Sequence, residues 1–395
     1  MEEKDFNRKR LEKIQSEMEQ QGLEALFVFK SQNSFYVSRF NPVIQSTPVI
    51  TIISSKGEPA LLLSCLRANH AREDSWIRHT YLYGRPWMGL VPMAPGYLEA
   101  LEQIVIERGW SNARIGVEKD YLSVRDHNRI KEMVPGVNWV DSSPLFEKVR
   151  LIKDDQEIDC LRIAATLADR GMKAALEMIR EGVTEQEITF RAQQTMNEMW
   201  LKQFPHIELS GFATQEGSVK NDLSAYCLSG PRWEMACDSP TDRKIGSGEL
   251  VFFYTSGVCN GYHAENERTV AMGKLNDEQK KVYDTILEAR ELAQKKLRPG
   301  VPCSEVYHTA IEVLKKNGYG NALPGRIGHG MGLGEHEEPS LGPNIMSPLQ
   351  PGMVVTFEPS MKIGPLGGAQ HSDTVLITSE GFEFLTKTER GFLKV

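Results

Sequence analysis

The stretch GYHAENERTVAMG, residues 261–273, sets His263, Glu265 and Glu267 at alternate positions just before the apolar run 269–272. In a β-strand, positions i, i+2 and i+4 share one face, so a strand here would line up an imidazole and two carboxylates. By itself such a row reads as a solvated outer face. A functional reading needs other polar groups to converge on it. Just upstream, VFFYTSG (251–257) is strand-like, and VCNG (258–261) reads as a hairpin turn on Asn-Gly. Pairing about that turn is expected to set Tyr254 opposite Glu265.

Outward from the hairpin the chain repeats itself. REGVTEQEI (180–188) resembles RPGVPCSEV (298–306): each follows a helical pattern, carries Gly-Val and opens another helix. SGELVFFY (247–254) likewise resembles PGMVVTFE (351–358), which puts Tyr254 of one half in the place of Glu358 of the other. Internal repetition of this kind predicts two related halves about a pseudo-twofold axis. A long helix is expected to start at Asp154 or Asp155 and continue to Gly182. Before it, residues 1–148 alternate helix and strand patterns, with strands at 23–29 and within 48–64 and 113–120, and helices at 66–76 and 97–109. The expected organisation is an α/β (α+β) protein, with an N-terminal α/β domain over 1–148 and a C-terminal domain over 149–395.

Composition narrows the function classes. Of 395 residues, 40% are apolar and 25% charged, as in an ordinary globular protein. The net charge of −7 argues against nucleic acid as a partner. No apolar run approaches the roughly 20 residues that span a bilayer, and the charged N-terminal segment is unlike a secretory signal. Six cysteines (65, 160, 227, 237, 259 and 303) are scattered without CxxC pairs, which suggests reduced thiols in a cytoplasmic protein.

Three further polar stretches follow. GHGMGLGEHEE (328–338) flanks closely spaced glycines with His329 and His336, not in the HExxH spacing of a helical zinc site. TFEPS (356–360) ends an apolar run on Glu358, a placement that is costly unless the carboxylate is paired. GGAQHSDTVLIT (367–378) leads through His371, Ser372 and Asp373 into a buried strand.

Together with the hairpin, these stretches resemble the creatinase/Xaa-Pro aminopeptidase superfamily, the pita-bread fold, over the whole chain. The resemblance implies a creatinase-type N-terminal domain, a C-terminal pita-bread domain and a homodimer. Peptidases of that superfamily hold two divalent metals on two Asp, one His and two Glu. Carried onto this chain, those positions are Tyr254, Glu265, His329, Glu358 and Ser372. With Tyr and Ser at two of the five, a dinuclear centre is not expected, and any single metal would fall to Glu265, His329 and Glu358.

Metal-free creatinase is similar in its Glu-Arg-Thr, here Glu267-Arg268-Thr269, where the glutamate helps bind a guanidinium. The expectation is therefore a metal-independent hydrolase without cofactor, cleaving a C–N bond of a small amidine or guanidino compound. Glu267 and Glu358 would hold the cation, Glu265, Tyr254, His263, Ser372 and His371 would complete the pocket, and His329 and His336 would serve as acid and base. Cys237 stands where creatinase has an acid/base histidine. It reads either as an inert small hydrophobe or as a nucleophile or proton carrier. The alternatives are an Xaa-Pro dipeptidase or aminopeptidase with a reduced metal site, and a non-enzymatic binding module.

Overall fold

The computed structural model describes residues 3–43, 46–212, 221–235 and 237–395. The described residues up to Arg150, with 210–212, form one compact unit; Leu151–Leu209 and Asn221–Val395 form a second.

In the first unit, α1 (Glu3–Gln20) leads to β1 (Ala25–Val28), α2 (Ser31–Ser38), β2 (Ile50–Ser54), β3 (Ala60–Ser64) and α3 (Ala68–Asp74). Then come β4 (His79–Tyr83), α4 (Tyr97–Glu107), β5 (Arg114–Val117), α5 (Val124–Met133), β6 (Asn138–Asp141) and α6 (Ser143–Arg150). The sheet runs β4-β3-β2-β1-β5-β6, with β2 antiparallel to both of its neighbours. Strand β1 is buried along its whole length, which explains its unbroken apolar sequence ALFV. The sequence pattern misses α2, whose SQNSFYVS has no helical periodicity because seven of its eight residues are buried, and the half-exposed β4.

The second unit begins with α7 (Asp155–Met178) and α8 (Glu185–Gln203), each opened by a capping box, on Asp154–Glu157 and Thr184–Glu187. Helix α7 ends at Met178, four residues before Gly182, and its C-cap Ile179 has an extended backbone. Strands β7 (Ser224–Ser229), β8 (Glu249–Cys259) and β9 (Tyr262–Met272) follow, then α9 (Asp277–Ala293) and α10 (Cys303–Lys316). The chain closes with β10 (Val354–Phe357), β11 (Ser360–Lys362), β12 (Gly368–Gln370) and β13 (Ser372–Ile377), followed by two short strands. The main sheet runs β10-β13-β9-β8-β7. The halves repeat as expected: a helix pair precedes β8, a second pair precedes β10, and Gly248 and Gly352, both at positive φ, turn the chain into the two strands. No helix among the described residues is long and apolar enough to cross a membrane.

The Asn260–Gly261 turn has φ of 49° and 82°, the pair of left-handed residues that a two-residue type I′ hairpin needs. That tight loop sets a register different from the expected one. Tyr254 pairs with Glu267, and Glu265 pairs with Ser256. The solvated-face reading of His263, Glu265 and Glu267 also fails, because all three are buried.

Helix α7 crosses this hairpin in close backbone contact. A Cβ on Gly257 would lie 2.0 Å from Ala164 O and 3.0 Å from Ala168 N. Helix and strand backbones cannot yield as a flexible side chain can. Gly257→Ala is therefore expected to destabilise the protein by about 3 kcal/mol, read as a lower midpoint in urea.

Candidate active site

A cavity of about 760 Å³ is lined from β8, β9, the segment after β10 and the glycine-rich stretch 325–336. Glu265 and Glu267 reach it from β9 as alternate residues, and Glu358 from the position just after β10. His329 arrives on a segment that runs beside β10: Thr356 N donates to His329 O at 2.7 Å, and Glu358 N to Ile327 O at 2.9 Å. Such proximity requires the glycines. A Cβ on Gly328 would stand 2.2 Å from Thr356 O, and one on Gly330 would stand 2.2 Å from Glu338 O.

The hydrogen bonding of His329 fixes its tautomer. Its Nδ1 is 3.0 Å from Gly330 O, which can only accept, so Nδ1 carries the proton and Nε2 keeps its lone pair. That Nε2 lies 3.4 Å from Glu358 Oε1 and 3.9 Å from Glu265 Oε2. Burial holds the imidazole down to about 3, so it is neutral at physiological pH.

Burial also lifts the carboxylates. Glu358 is pushed up to about 7, with Arg326 pulling the other way. Glu265 stands well above the usual carboxylate range through burial and the nearby Glu358, and Glu267 through burial and then Glu265. Local donors offset part of this crowding. Ser372 Oγ donates to Glu265 Oε1 at 2.6 Å, while the Gln370 amide donates both to Glu267 and, at 3.2 Å, to Glu358 Oε2.

Glu265, His329 and Glu358 each present one ligand atom, all within 4.8 Å of one another. Two carboxylates and a neutral imidazole suit one divalent cation, which would also relieve the repulsion among the acids. Among the described residues a second ion finds no comparable set. Tyr254 stacks on Tyr226 with centroids 4.7 Å apart, and burial, with Glu335 and Glu265 nearby, drives its phenol far above the usual range, so it stays neutral. Ser372 spends its hydroxyl proton on Glu265.

The remaining expected site residues divide. His336 lines the cavity with its ring centroid 4.3 Å from that of His329, and the exposed Cys237 lines it with Sγ 3.8 Å from Tyr226 Oη. His263 does not line it; its ring lies between Asp222 at 3.6 Å and Glu335 at 3.8 Å. Nor does His371, which precedes Ser372 and so faces the other way, with Nε2 3.0 Å from Tyr283 Oη.

Behind the sheet a buried charge cluster fixes the strands that carry the site. Asp373 accepts from Arg268 Nη2 at 2.9 Å, Arg290 Nη2 at 2.5 Å and Thr386 Oγ1 at 2.7 Å. The same arginines bind backbone: Arg268 Nη1 donates to Glu267 O and Ser372 O, each at 2.7 Å, and Arg290 Nη1 to Phe357 O at 2.6 Å.

Residues 159–379 match the profile of metallopeptidase family M24, and residues 10–152 that of the creatinase/prolidase N-terminal domain. The chain belongs to metallopeptidase family M24. It is 28% identical over 388 residues to a Xaa-Pro dipeptidase of Pyrococcus furiosus, covering 98% of this chain and 100% of that one. Among solved structures, the prolidase from Pyrococcus furiosus superposes with a TM-score of 0.79 at 28% identity, over 95% of this chain and all of that one. A Xaa-Pro dipeptidase from Bacillus anthracis superposes with a TM-score of 0.83 at 25% identity, over 98% and 100% of the two chains.

The pita-bread fold and the superfamily expected from the sequence are thus established, and the protein falls among the hydrolases. The creatinase-like, metal-independent amidinohydrolase is not: these end-to-end relatives carry the names of Xaa-Pro peptidases. With it falls the small amidine or guanidino substrate. The expectation went astray by giving one feature, Glu267 before Arg268, more weight than the surviving ligand trio.

Sequence reasoning also missed Tyr226, Trp233, Arg326, Glu335, Lys362 and Gln370, all of which line the cavity. One signal was present: Glu358, Ser360 and Lys362 alternate as residues on one face of a strand do.

Proposed function

We propose that the protein is a metal-dependent peptidase that hydrolyses the C–N bond of short peptides, of the Xaa-Pro dipeptidase type, with one divalent cation in place of two. The observation that carries this reading is the convergence of Glu265, His329 and Glu358 within 4.8 Å in the cavity of a family M24 chain. Those three residues would hold the cation, which when bound supplies Lewis-acid polarisation of the scissile carbonyl. Tethered to Gly330 O, His329 presents Nε2 and no competing N–H to the ion. Glu267, bridged to Glu358 through Gln370, offers a carboxylate to the substrate's α-ammonium. His336, whose ring is tilted beside that of His329, offers an imidazole N–H to the leaving nitrogen. Trp233, Phe252 and Tyr226 give an apolar wall for a proline ring. Cys237, at the exposed margin beside Tyr226, contacts substrate without a covalent step. The six cysteines are scattered without a CxxC spacing, which supports a reducing, cytoplasmic setting.

The test is hydrolysis of a panel of Xaa-Pro dipeptides with manganese, cobalt, zinc or no added metal. Metal-stimulated release of proline is the expected result. No release from any dipeptide with any of these metals would sink the reading.

A further inference from the structure

The donors nearest the acidic floor of the cavity are already spent. Ser372 Oγ is committed to Glu265, the Gln370 amide to Glu267 and Glu358, and Nδ1 of His329 to Gly330 O. Thr356 Oγ1, 3.3 Å from Glu358 Oε1, is engaged in the same way. A carbonyl oxygen that gains negative charge over this floor needs donors, and ionised carboxylates have none to offer. The phenol of Tyr254 is placed differently. In one row across four strands, Tyr226 on β7 pairs with Tyr254 on β8, Tyr254 with Glu267 on β9, and Glu267 with Ser372 on β13. Glu265, two residues along β9 and opposite Ser256, shares that face. Directly opposed residues in such a ladder stand roughly 5 Å apart and diagonal ones roughly 7–8 Å, which puts both carboxylates within reach of a ring the length of tyrosine's. Phe253 and Thr255 on either side are wholly buried, whereas Tyr254 opens onto the cavity. Its ring lies on Tyr226 at 4.7 Å and 23°, Tyr226 packs at 5.8 Å against Phe252, and Phe252 at 5.2 Å against Trp233. That aromatic row holds the ring without using its hydroxyl. Among the described residues no carboxylate takes the phenol's proton, and Ser256 acts on the phenol oxygen as a donor. Burial, and then Glu335, Glu265 and Glu267, keep the phenol protonated and therefore able to donate.

We propose that Tyr254 is a further catalytic residue, whose phenol O–H donates a hydrogen bond to the scissile carbonyl oxygen as that oxygen becomes an oxyanion. The phenol keeps its proton throughout. Water adds to the carbonyl carbon, the C–N bond breaks, and both protons of the water end on the departing nitrogen, leaving a carboxylate and an ammonium. The oxygen carries its full charge only in the tetrahedral state, so the bond strengthens there and acts on kcat rather than on KM. With one cation at the site rather than two, more of that charge falls to protein donors. A neutral phenol suits the task in this cavity: it brings a donor to an acidic floor without adding a charge that the three carboxylates would capture. The role of Tyr254 rests on the peptidase reading above.

Tyr254→Phe removes the hydroxyl and keeps the stack on Tyr226. Binding can be separated from turnover with two analogues of alanylproline that share both ends. In the phosphinic analogue a tetrahedral, charged phosphinate replaces the carbonyl under attack; in the reduced-bond isostere CH2 replaces it and no oxygen is present. Calorimetry on the proteins as purified is expected to show the variant binding the phosphinic analogue about ten-fold or more weakly than the wild type, and the isostere equally to within about two-fold. On alanylproline itself kcat should fall about 10²-fold with KM held within about two-fold, at equal metal content. Equal affinity of wild type and variant for the phosphinic analogue overturns the assignment. So does a parallel loss of both analogues, which would mark damage to the cavity rather than a lost donor. A wild type that binds neither analogue and cleaves no peptide defeats the peptidase reading, and the role of the phenol with it.

Discussion

Replacing His329 with alanine is expected to lower kcat/KM on a proline dipeptide by roughly 10³-fold and to release the cation from the purified protein. The imidazole is the sole neutral donor of the trio, and its Nε2 lies 3.4 Å from Glu358 Oε1 and 3.9 Å from Glu265 Oε2. Without it, two buried carboxylates share the site with nothing between them, and protonation becomes the easier way to relieve their repulsion. The fold should tolerate the change, since the backbone bonds of residue 329 to Thr356 are unaffected by it. Kinetics and metal content measured on the same preparation check the prediction. A variant that kept both its cation and its rate would remove His329 from the centre.

The second large effect belongs to stability. Asp373→Asn is expected to cost roughly 3–5 kcal/mol, because Arg268 and Arg290 stay buried and lose the carboxylate that neutralises them. Those guanidiniums also bind the carbonyls of Glu267, Ser372 and Phe357, so activity should fall along with stability. The same cluster predicts an acid limit. Although burial alone would raise it, the surrounding arginines hold the Asp373 carboxyl down at about 2, below its ordinary value of 3.8. A carboxylate depressed on folding stabilises above its unfolded value and loses that contribution as pH falls through the folded one. Some 2–3 kcal/mol should therefore disappear between about pH 4 and pH 2. Urea midpoints across that range should drop in the wild type and much less in the asparagine variant.

What the sequence disclosed follows from which signals are local. The turn on Asn260–Gly261, the capping residues Asp154 and Thr184 and the paired Gly248 and Gly352 each act within a few residues, so the hairpin, the helix starts and the repeat could be read directly. Register was harder: counting four loop residues where the turn uses two moved the expected partner of Tyr254 from Glu267 to Glu265. Glu265, Glu267, His329, His336 and Glu358 were found because their motifs keep order and spacing. His371 was misplaced because a strand alternates its faces and the reading carried it along with Ser372. Arg326, Gln370 and Lys362 went unnoticed because their role depends on which distant segments meet, and no short pattern encodes that. The reaction class failed for a different reason. One acidic residue beside Arg268 suits a bound guanidinium and a bound α-ammonium equally well, so it could not decide between their chemistries.

Metal content, determined on protein purified without added metal and set beside its rate of alanylproline cleavage, decides whether the trio holds one cation. About one equivalent of a divalent cation is expected, with loss of cleavage when it is chelated and recovery when it is returned. A metal-free protein that cleaves at full rate, or one that carries two tightly held ions, would contradict a single centre built on Glu265, His329 and Glu358.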